Sequence, residues 1–473
     1  MLSFLYTDCE RGDMLGVEVV MRKFLSLAVM CSLAFPAMAF AQETDAPEAP
    51  KPAADDMEGQ TTPPPTPPAE PAEFEMAEPP KTAADDMGEG AVGEETEEGG
   101  SPFLDGLSWQ LMASAFYMYN GYRVSGDYND LSPDPDQRSA YPYTSYMGFG
   151  LNFAGGDVMY TGEKFAVRLD LRWGTGAELL TPLAPVKQAY VAYLPNEKIS
   201  IDMGFFDTIY GAEVVDEWNN ANYTRGALYF LRQPFNHLGI RFGAEMTEIA
   251  GFTLMVTNGG PFGATPIDLD KQVPSIGWQF GFSPDGQKSV RRRGLQQGFR
   301  EVGVFFGGNH GANGLNENRD WASFFDWVVS LKLDWFTLLL NGDYFVDGND
   351  TETLDGSRQT NFQYGHSLAM IFDINDHWGI GLRGEHLSGN DAYRNFGGPS
   401  NPDLNYGYLA TATATIRYKP VEYLVLSLEG RFEAAGENIY FSRSSAEDVN
   451  MIVQPDRKRY WGLILGATAH IGN

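Results

Sequence analysis

Cysteine is almost missing from this 473-residue chain, which has two, Cys9 and Cys31. Both precede the point where a leader would be cleaved. The mature chain then has none, which excludes a disulfide framework, a thiolate zinc site and thiol catalysis. Histidine is scarce as well. His237, His310, His366, His377, His386 and His470 make up all six, and none shows ligand spacing. His310 is expected in a loop and the others in or beside strands. There is no His-Glu-x-x-His, no Gly-x-Ser-x-Gly elbow and no P-loop. No cofactor, no metal and no enzyme are expected. Positive charge is in short supply: 33 Lys and Arg stand against 63 Asp and Glu, a formal net charge of −30. Nucleic acid is therefore excluded as a partner. Finally, no stretch after residue 41 offers the roughly 18 unbroken apolar residues that a membrane helix needs. If this chain crosses a membrane, strands must do it. They must also close on themselves, because each unpaired backbone group in hydrocarbon costs several kcal/mol.

The front of the chain reads as export and tether. Met21-Arg22-Lys23 followed by the apolar run Phe24–Phe35, with Ala39-Phe40-Ala41 behind it, has the layout of a signal peptide ending at residue 41. The twenty residues before Met21 fit no leader, and the true start is expected at Met21. Residues 42–100 hold 17 acids against 2 bases, net −15, with the proline run Pro63-Pro64-Pro65-Thr66-Pro67-Pro68 among them. Such low hydrophobicity with high net charge cannot offset chain entropy, so a disordered periplasmic linker is expected. The motif Ala53-Ala54-Asp55-Asp56-Met57 returns at Ala83-Ala84-Asp85-Asp86-Met87, which composition reads as duplicated linker.

From residue 101 to 473 one pattern repeats. In Phe165–Trp173, Val167, Leu169, Leu171 and Trp173 share one face, and Arg168, Asp170 and Arg172 share the other. Ile240 and Phe242 oppose Arg241 and Glu245; Ile380 and Leu382 oppose Arg383 and Glu385; Leu424, Leu426 and Leu428 oppose Glu429 and Arg431. Charges this regular cannot point into a dry core. Apolar outside and ionisable inside is the pattern of a transmembrane antiparallel β-barrel. Strands are predicted at 107–121, 143–155, 164–173, 184–194, 198–206, 237–247, 250–258, 273–282, 300–308, 321–334, 335–347, 362–373, 376–388, 406–418, 421–433 and 459–471. That is sixteen, within a range of fourteen to eighteen. Short turns at Pro195–Glu197, Glu248-Ile249, Trp335-Phe336, Asn375 and Pro420 alternate with long polar loops, as in outer-membrane barrels. The stretch 283–299, with Lys288 to Arg293, breaks the alternation. A soluble sandwich also alternates, but it explains neither the leader, the Trp and Tyr at strand ends nor the loop asymmetry.

The connection 207–236 mixes acids, amides, aromatics and arginines, unusual for a solvent loop. It is expected to fold into the bore, where Trp218, Tyr223 and Phe230 can pack. Asp207, Glu213, Asp216, Glu217, Arg225 and Arg232 would then form a constriction, since opposed charges in a narrow lining set selectivity. Arg168, Asp170, Arg172, Arg241, Glu245, Arg383, Glu385, Glu429 and Arg431 would line the wall. Asp127, Asp130, Asp134 and Asp136 cluster in an external loop and read as a solvated acidic rim; bridging to lipopolysaccharide through cations is the other option.

Several words in this region resemble the OmpL-like β-barrel porin family. They are Gly211-Ala-Glu213, Asn220-Ala-Asn222-Tyr223-Thr224, Pro234-Phe235-Asn236-His237-Leu238-Gly239 and Asn258-Gly259. Thr224 stands where the family usually has Ser. The resemblance covers 105–473, with its specific words in 203–260. It implies an outer-membrane channel for passive diffusion of small hydrophilic solutes, without naming the solute. Sixteen strands leave room for a water-filled bore, and the acidic balance predicts a mild cation preference. Membrane lipid, lipopolysaccharide and the barrel-assembly machinery are the expected partners. A homotrimer is the assembly that barrels of this size commonly form, and the sequence does not decide whether this one does. The last strand departs from the usual insertion signal, ending His470-Ile-Gly-Asn473 with no terminal aromatic. The competing readings are a plugged structural or adhesive barrel and a barrel hydrolase.

Overall fold

A computed structural model describes residues 106–121, 148–181, 183–259, 274–283, 302–312, 321–352, 358–389, 407–436, 438, 440 and 457–472. The leader, the acidic linker, the aspartate cluster at 127–136 and all but Ser283 of the 283–299 stretch lie outside these residues.

Sixteen strands form one closed antiparallel barrel. They are β1 (Leu107–Asn120), β2 (Gly148–Thr161), β3 (Phe165–Trp173), β4 (Val186–Asn196), β5 (Ile199–Asp207), β6 (Asn236–Glu245), β7 (Ala250–Thr257) and β8 (Ser275–Phe282), followed by β9 (Gly303–Ala312), β10 (Trp321–Lys332), β11 (Phe336–Glu352), β12 (Arg358–Asp373), β13 (Trp378–Gly389), β14 (Tyr408–Val421), β15 (Leu424–Ala435) and β16 (Arg459–Gly472). Each strand pairs with its chain neighbours, and β1 closes on β16 from Gln110↔Gly472 to Asn120↔Gly462. Closure leaves no strand edge unpaired, which is the condition for a sheet in hydrocarbon.

Side-chain direction follows the alternation in the sequence. On β3 the even positions are buried and Phe165, Val167, Leu169 and Trp173 are exposed; Arg172 is 0% accessible and its neighbour Trp173 is 51% accessible. On β16, Trp461, Leu463, Leu465, Ala467 and Ile471 form the outward stripe. Aromatic rings also share the outer face, with Phe252, Phe280 and Phe306 in sequential contact across β7–β9.

Four features differ from the sequence reading. β2 runs to Thr161, beyond the predicted end at 155, continuing through Gly155-Gly156. A Cβ on Gly155 would lie 1.9 Å from the Leu171 carbonyl oxygen of β3, so glycine there permits close strand approach. His310 lies in β9, paired with Ser323, and not in a loop. The β11–β12 hairpin continues well past the predicted 347 and 362. The bore is also less uniformly polar than expected: Met118, Phe153, Phe324, Ile371 and Leu387 point inward and are buried. They have apolar partners on the connections, including α1 (Thr175–Leu180), whose Ala177 and Leu180 pack on Phe153.

The inverted faces predict a directional sensitivity. Leu465→Arg, in the middle of β16 and 57% exposed, should destabilise the inserted barrel by about 2–4 kcal/mol. Leu465→Met should stay within about 1.5 kcal/mol. Urea unfolding in lipid vesicles measures both, and an equal effect of the two would contradict a lipid-facing Leu465.

Candidate functional site

The connection from β5 to β6 leaves the wall at Asp207 and returns at Asn236. Between them lie a 3-10 turn at Glu217–Asn219 and the short helix α2 (Ala227–Arg232). No residue from 208 to 235 is exposed. The segment lies within the barrel, and its polar backbone, withdrawn from bulk water, must find partners on the wall. The partners are the inward side chains of strands distant in sequence.

On β13–β15, charged side chains take the place of a pairing strand. Glu429 accepts the amides of Tyr223 (2.7 Å) and Thr224 (3.2 Å), together with hydroxyls from Thr224 and Thr415. Glu385 accepts the amides of Ala227 and Leu228, both at 3.0 Å, at the start of α2. Arg383 donates to the Thr224 carbonyl (2.6 Å), and Arg431 donates to the Arg225 carbonyl (3.1 Å). Glu213 sits between loop and wall, accepting from Arg383 and from the Gly226 amide, both at 2.6 Å.

On β2–β4 the contact is ionic. Asp216 accepts from Arg172 Nε (3.0 Å) and Nη2 (3.2 Å) and from Lys187 Nζ (3.0 Å). Arg172 also pairs with Asp157 (2.5 Å), and Lys187 with Asp207 (3.0 Å). Near the β16–β1 seam, Glu217 accepts from Thr468 (2.8 Å) and lies 3.8 Å from Arg225, while Tyr223 and Ser114 share a hydrogen bond. Trp218 stacks on His470, close to the chain terminus. On β9–β11 the contact is neutral on the loop side. The Tyr210 hydroxyl donates to the Gly308 carbonyl (2.6 Å), the Gly211 amide to Asp326, the Ala212 amide to Asn341, and Gln233 to Asn341 and Asp343.

Asp207, Glu213, Asp216 and Glu217 thus meet the wall through ion pairs or carboxylate hydrogen bonds, while Arg225 pairs with Glu217 inside the loop and lies over the Phe153 ring. Arg232 is buried at the end of α2, donating to the Leu231 carbonyl. Of the wall residues named from the sequence, Arg172, Arg383, Glu385, Glu429 and Arg431 touch the loop. Arg168 pairs with Asp170 on its own strand (2.9 Å), and Arg241 pairs with Asp202 (2.8 Å) and lies over the Phe206 ring. Glu245 is half-buried at the end of β6. Sequence reasoning missed Lys187, Asp157, Gln233, Asn341 and Asp343. The inward register of Asp157, Asn341 and Asp343 was readable, but a search for alternating charge passes over amides and isolated ions; Lys187 sits at a β-bulge, outside the alternation of β4, and Gln233 lies in the loop.

The resembling words coincide with this contact. Gly211 has φ +83°, and a Cβ there would meet the Gln233 side chain. Asn220 donates from Nδ2 to the carbonyls of Val214 and Asp216 and accepts the Val214 amide, stapling the loop to itself. Asn222 donates to Thr415 and to the Gly381 carbonyl. His237 is buried against Thr208. Among the described residues no cluster of His, Cys, Asp and Glu has the make-up of a three-ligand metal centre.

The loop carboxyls respond differently to their surroundings. Burial raises those of Glu213 and Glu217 above their ordinary range. Asp216 is buried as well, but Arg172 and Lys187 outweigh the burial and hold it at about 2.

The sequence model of the family described as "Putative beta-barrel porin-2, OmpL-like" matches residues 106–454. No curated protein sequence matches the chain. Three solved structures are similar. The anion-selective porin from Comamonas acidovorans is 7% identical, with a TM-score of 0.49, over 77% of this chain and 99% of its own. The OmpF of Salmonella typhi in complex with daunomycin is 12% identical, with a TM-score of 0.48, over 78% and 99%. The outer-membrane channel DcaP of Acinetobacter baumannii is 11% identical, with a TM-score of 0.45, over 77% and 96%.

A pH dependence follows. A carboxyl held at about 2, against an ordinary 3.8, contributes its hold on the loop above pH 3.8 and loses it as pH falls through 2. The raised pair protonate earlier, and doing so relieves the cost of their buried charge. The segment 208–235 should therefore resist pepsin at about pH 4 and become cleavable as pH falls towards about 2. Asp216→Asn should remove that step, and cleavage of the wild type already at the higher pH would contradict the assigned role of Asp216.

Proposed function

The chain belongs to the OmpL-like β-barrel porin family, and from that premise we propose that it forms a channel of restricted bore in the outer membrane for small hydrophilic solutes or ions. Family and fold indicate the outer membrane and suggest a channel more than an enzyme. The observation that carries the reading is the loop 208–235, held across the bore by wall carboxylates and arginines. In this reading Asp207, Glu213, Asp216, Glu217, Arg225 and Arg232 border the narrowest passage. The wall residues have different duties: Glu245, half-buried, meets solute weakly; the buried pairs Arg168–Asp170 and Arg241–Asp202 set the charge of the lining; and Arg172, Arg383, Glu385, Glu429 and Arg431 fix the loop. No bond is broken in transit. Charge preference follows from the lining, and carboxylates outnumber cations among the described inward side chains. A mild cation preference is the expectation.

A second reading has one observation behind it. Every loop residue is buried or half-buried, and so are the described inward wall positions of β3, β14 and β15. That favours a barrel that is closed at rest, with the loop as its plug.

Planar-bilayer recording of the reconstituted full chain separates the two. Small, resolved conductance steps with a reversal potential favouring cations in a salt gradient support the channel. A silent wild type supports the plug. The double variant Glu385→Gln with Glu429→Gln should raise conductance several-fold, because the charge-assisted bonds to the loop amides are the stronger ones it can make.

A further inference from the structure

The lipid side of the wall is uneven. Across β7–β9 its outward positions carry the rings of Phe252, Phe280 and Phe306. Across β13–β15 they shrink to glycine and alanine: Gly384 stands opposite Ala412, and Ala414 opposite Gly430. A Cβ on Gly384 would meet no atom within 4 Å. Larger side chains rise on both flanks, Leu368 beside Gly384, Phe432 beside Ala412 and Leu463 beside Gly430. The result is an apolar groove of about 520 Å³ in the outer wall, a size that suits a small ligand (about 300–1,000 Å³).

Polar and basic groups stand at one end of this groove. His366, His386, Ala410, Ala434 and Arg459 are paired directly from β12 to β16, in the next outward row towards the long loops. Short turns mark the periplasmic rim of such barrels, so the row lies on the external side. His386 is eight residues on from Trp378, about 20 Å up a wall tilted near 40°. That is the upper part of an apolar band about 25 Å tall. Arg459 opens β16, next to exposed Arg457 and Lys458. His386 is exposed and its ring stacks on Tyr408; Tyr344 Oη and His366 Nε2 are 3.0 Å apart. No acid occupies a described outward position of β12–β16 above the groove. An imidazole facing hydrocarbon lacks the polar partner it would have in water.

We propose that the groove and this row seat one lipid of the outer leaflet, a multiply phosphorylated, acylated glycolipid of the lipopolysaccharide class. An acyl chain fills the groove. Phosphate meets Arg459 and its basic neighbours, where a guanidinium fork fits it best. Hydroxyl or carbonyl groups lower in the headgroup meet His386. Arg459 and His386 are three strands apart, about 14 Å, so the complementary headgroup carries several polar groups and is wider than one phosphodiester. In a bilayer the acyl chain gains no hydrophobic energy by entering the groove, so preference for this lipid comes from fit and from the charged contacts. The inference goes beyond the channel reading and holds for an open or a closed barrel.

Binding of purified lipopolysaccharide to the full-length protein in detergent tests the site, with phosphatidylglycerol as the competing anionic lipid. Wild type should retain one glycolipid per chain against excess phosphatidylglycerol. Arg459→Ser should weaken retention about tenfold, the loss of one charge-assisted contact. Ala412→Phe should weaken it by filling the groove, and Leu169→Phe, on the outer face of β3, should leave it unchanged. Equal retention by all four proteins would overturn the site, as would displacement of the glycolipid by phosphatidylglycerol. If the variants do not insert, photolabelling of the wild type by lipopolysaccharide with a photoreactive acyl chain decides. Labels confined to β12–β16 support the site; labels spread around the barrel, or excluded from these strands by a second copy of the chain, overturn it.

Discussion

The constraint on which this structure depends is that a peptide group removed from water must find a partner. In hydrocarbon the rule forces closure, and β1 meets β16 so that no edge is left over. The same rule operates inside the barrel, where the segment 208–235 has no strand to pair with. Its amides fall on Glu385 and Glu429, and its carbonyls on Arg383 and Arg431. The wall charges substitute for a missing β-ladder. Their alternation along each strand keeps them inward while leucine, valine and tryptophan meet lipid.

Burying so many ions is not an obvious route to stability. The desolvation of each pair offsets much of its attraction, and apolar replacements are often no worse. Breaking one partner, however, leaves a bare charge, which is strongly unfavourable. A network such as Asp157, Arg172, Asp216 and Lys187 therefore selects one position for the loop more than it deepens the fold. Neutral surfaces complete the fit: Tyr210 packs on Phe324, and Tyr229 stacks on Phe235.

Fold was legible in the sequence because a strand's two faces meet different solvents, and a period of two survives local irregularity. All sixteen strands lie close to their expected positions. The end of β2 was placed too early, at 155, whereas the strand continues through Gly155-Gly156, where absence of a side chain serves close strand pairing. The site was legible in part. Glu385, Glu429, Arg383 and Arg431 showed themselves as inward charges, and the composition of the loop signalled that it packs. What could not be read was who meets whom. Thr224 and Glu429 are 205 positions apart, and no periodicity links them. Asn341 and Gln233 carry no charge and so left no mark in the alternation, though they join loop to wall.

That long separation also orders events in time. Residues 223–228 of the loop bind groups on β13, β14 and β15, which are synthesised later. The segment cannot reach its resting place while those strands are unpaired. An incomplete sheet would hold the loop loosely, its amides still hydrated. Docking thus comes late, once the C-terminal strands are in the wall, and the bore stays open to water until the wall around it is nearly whole.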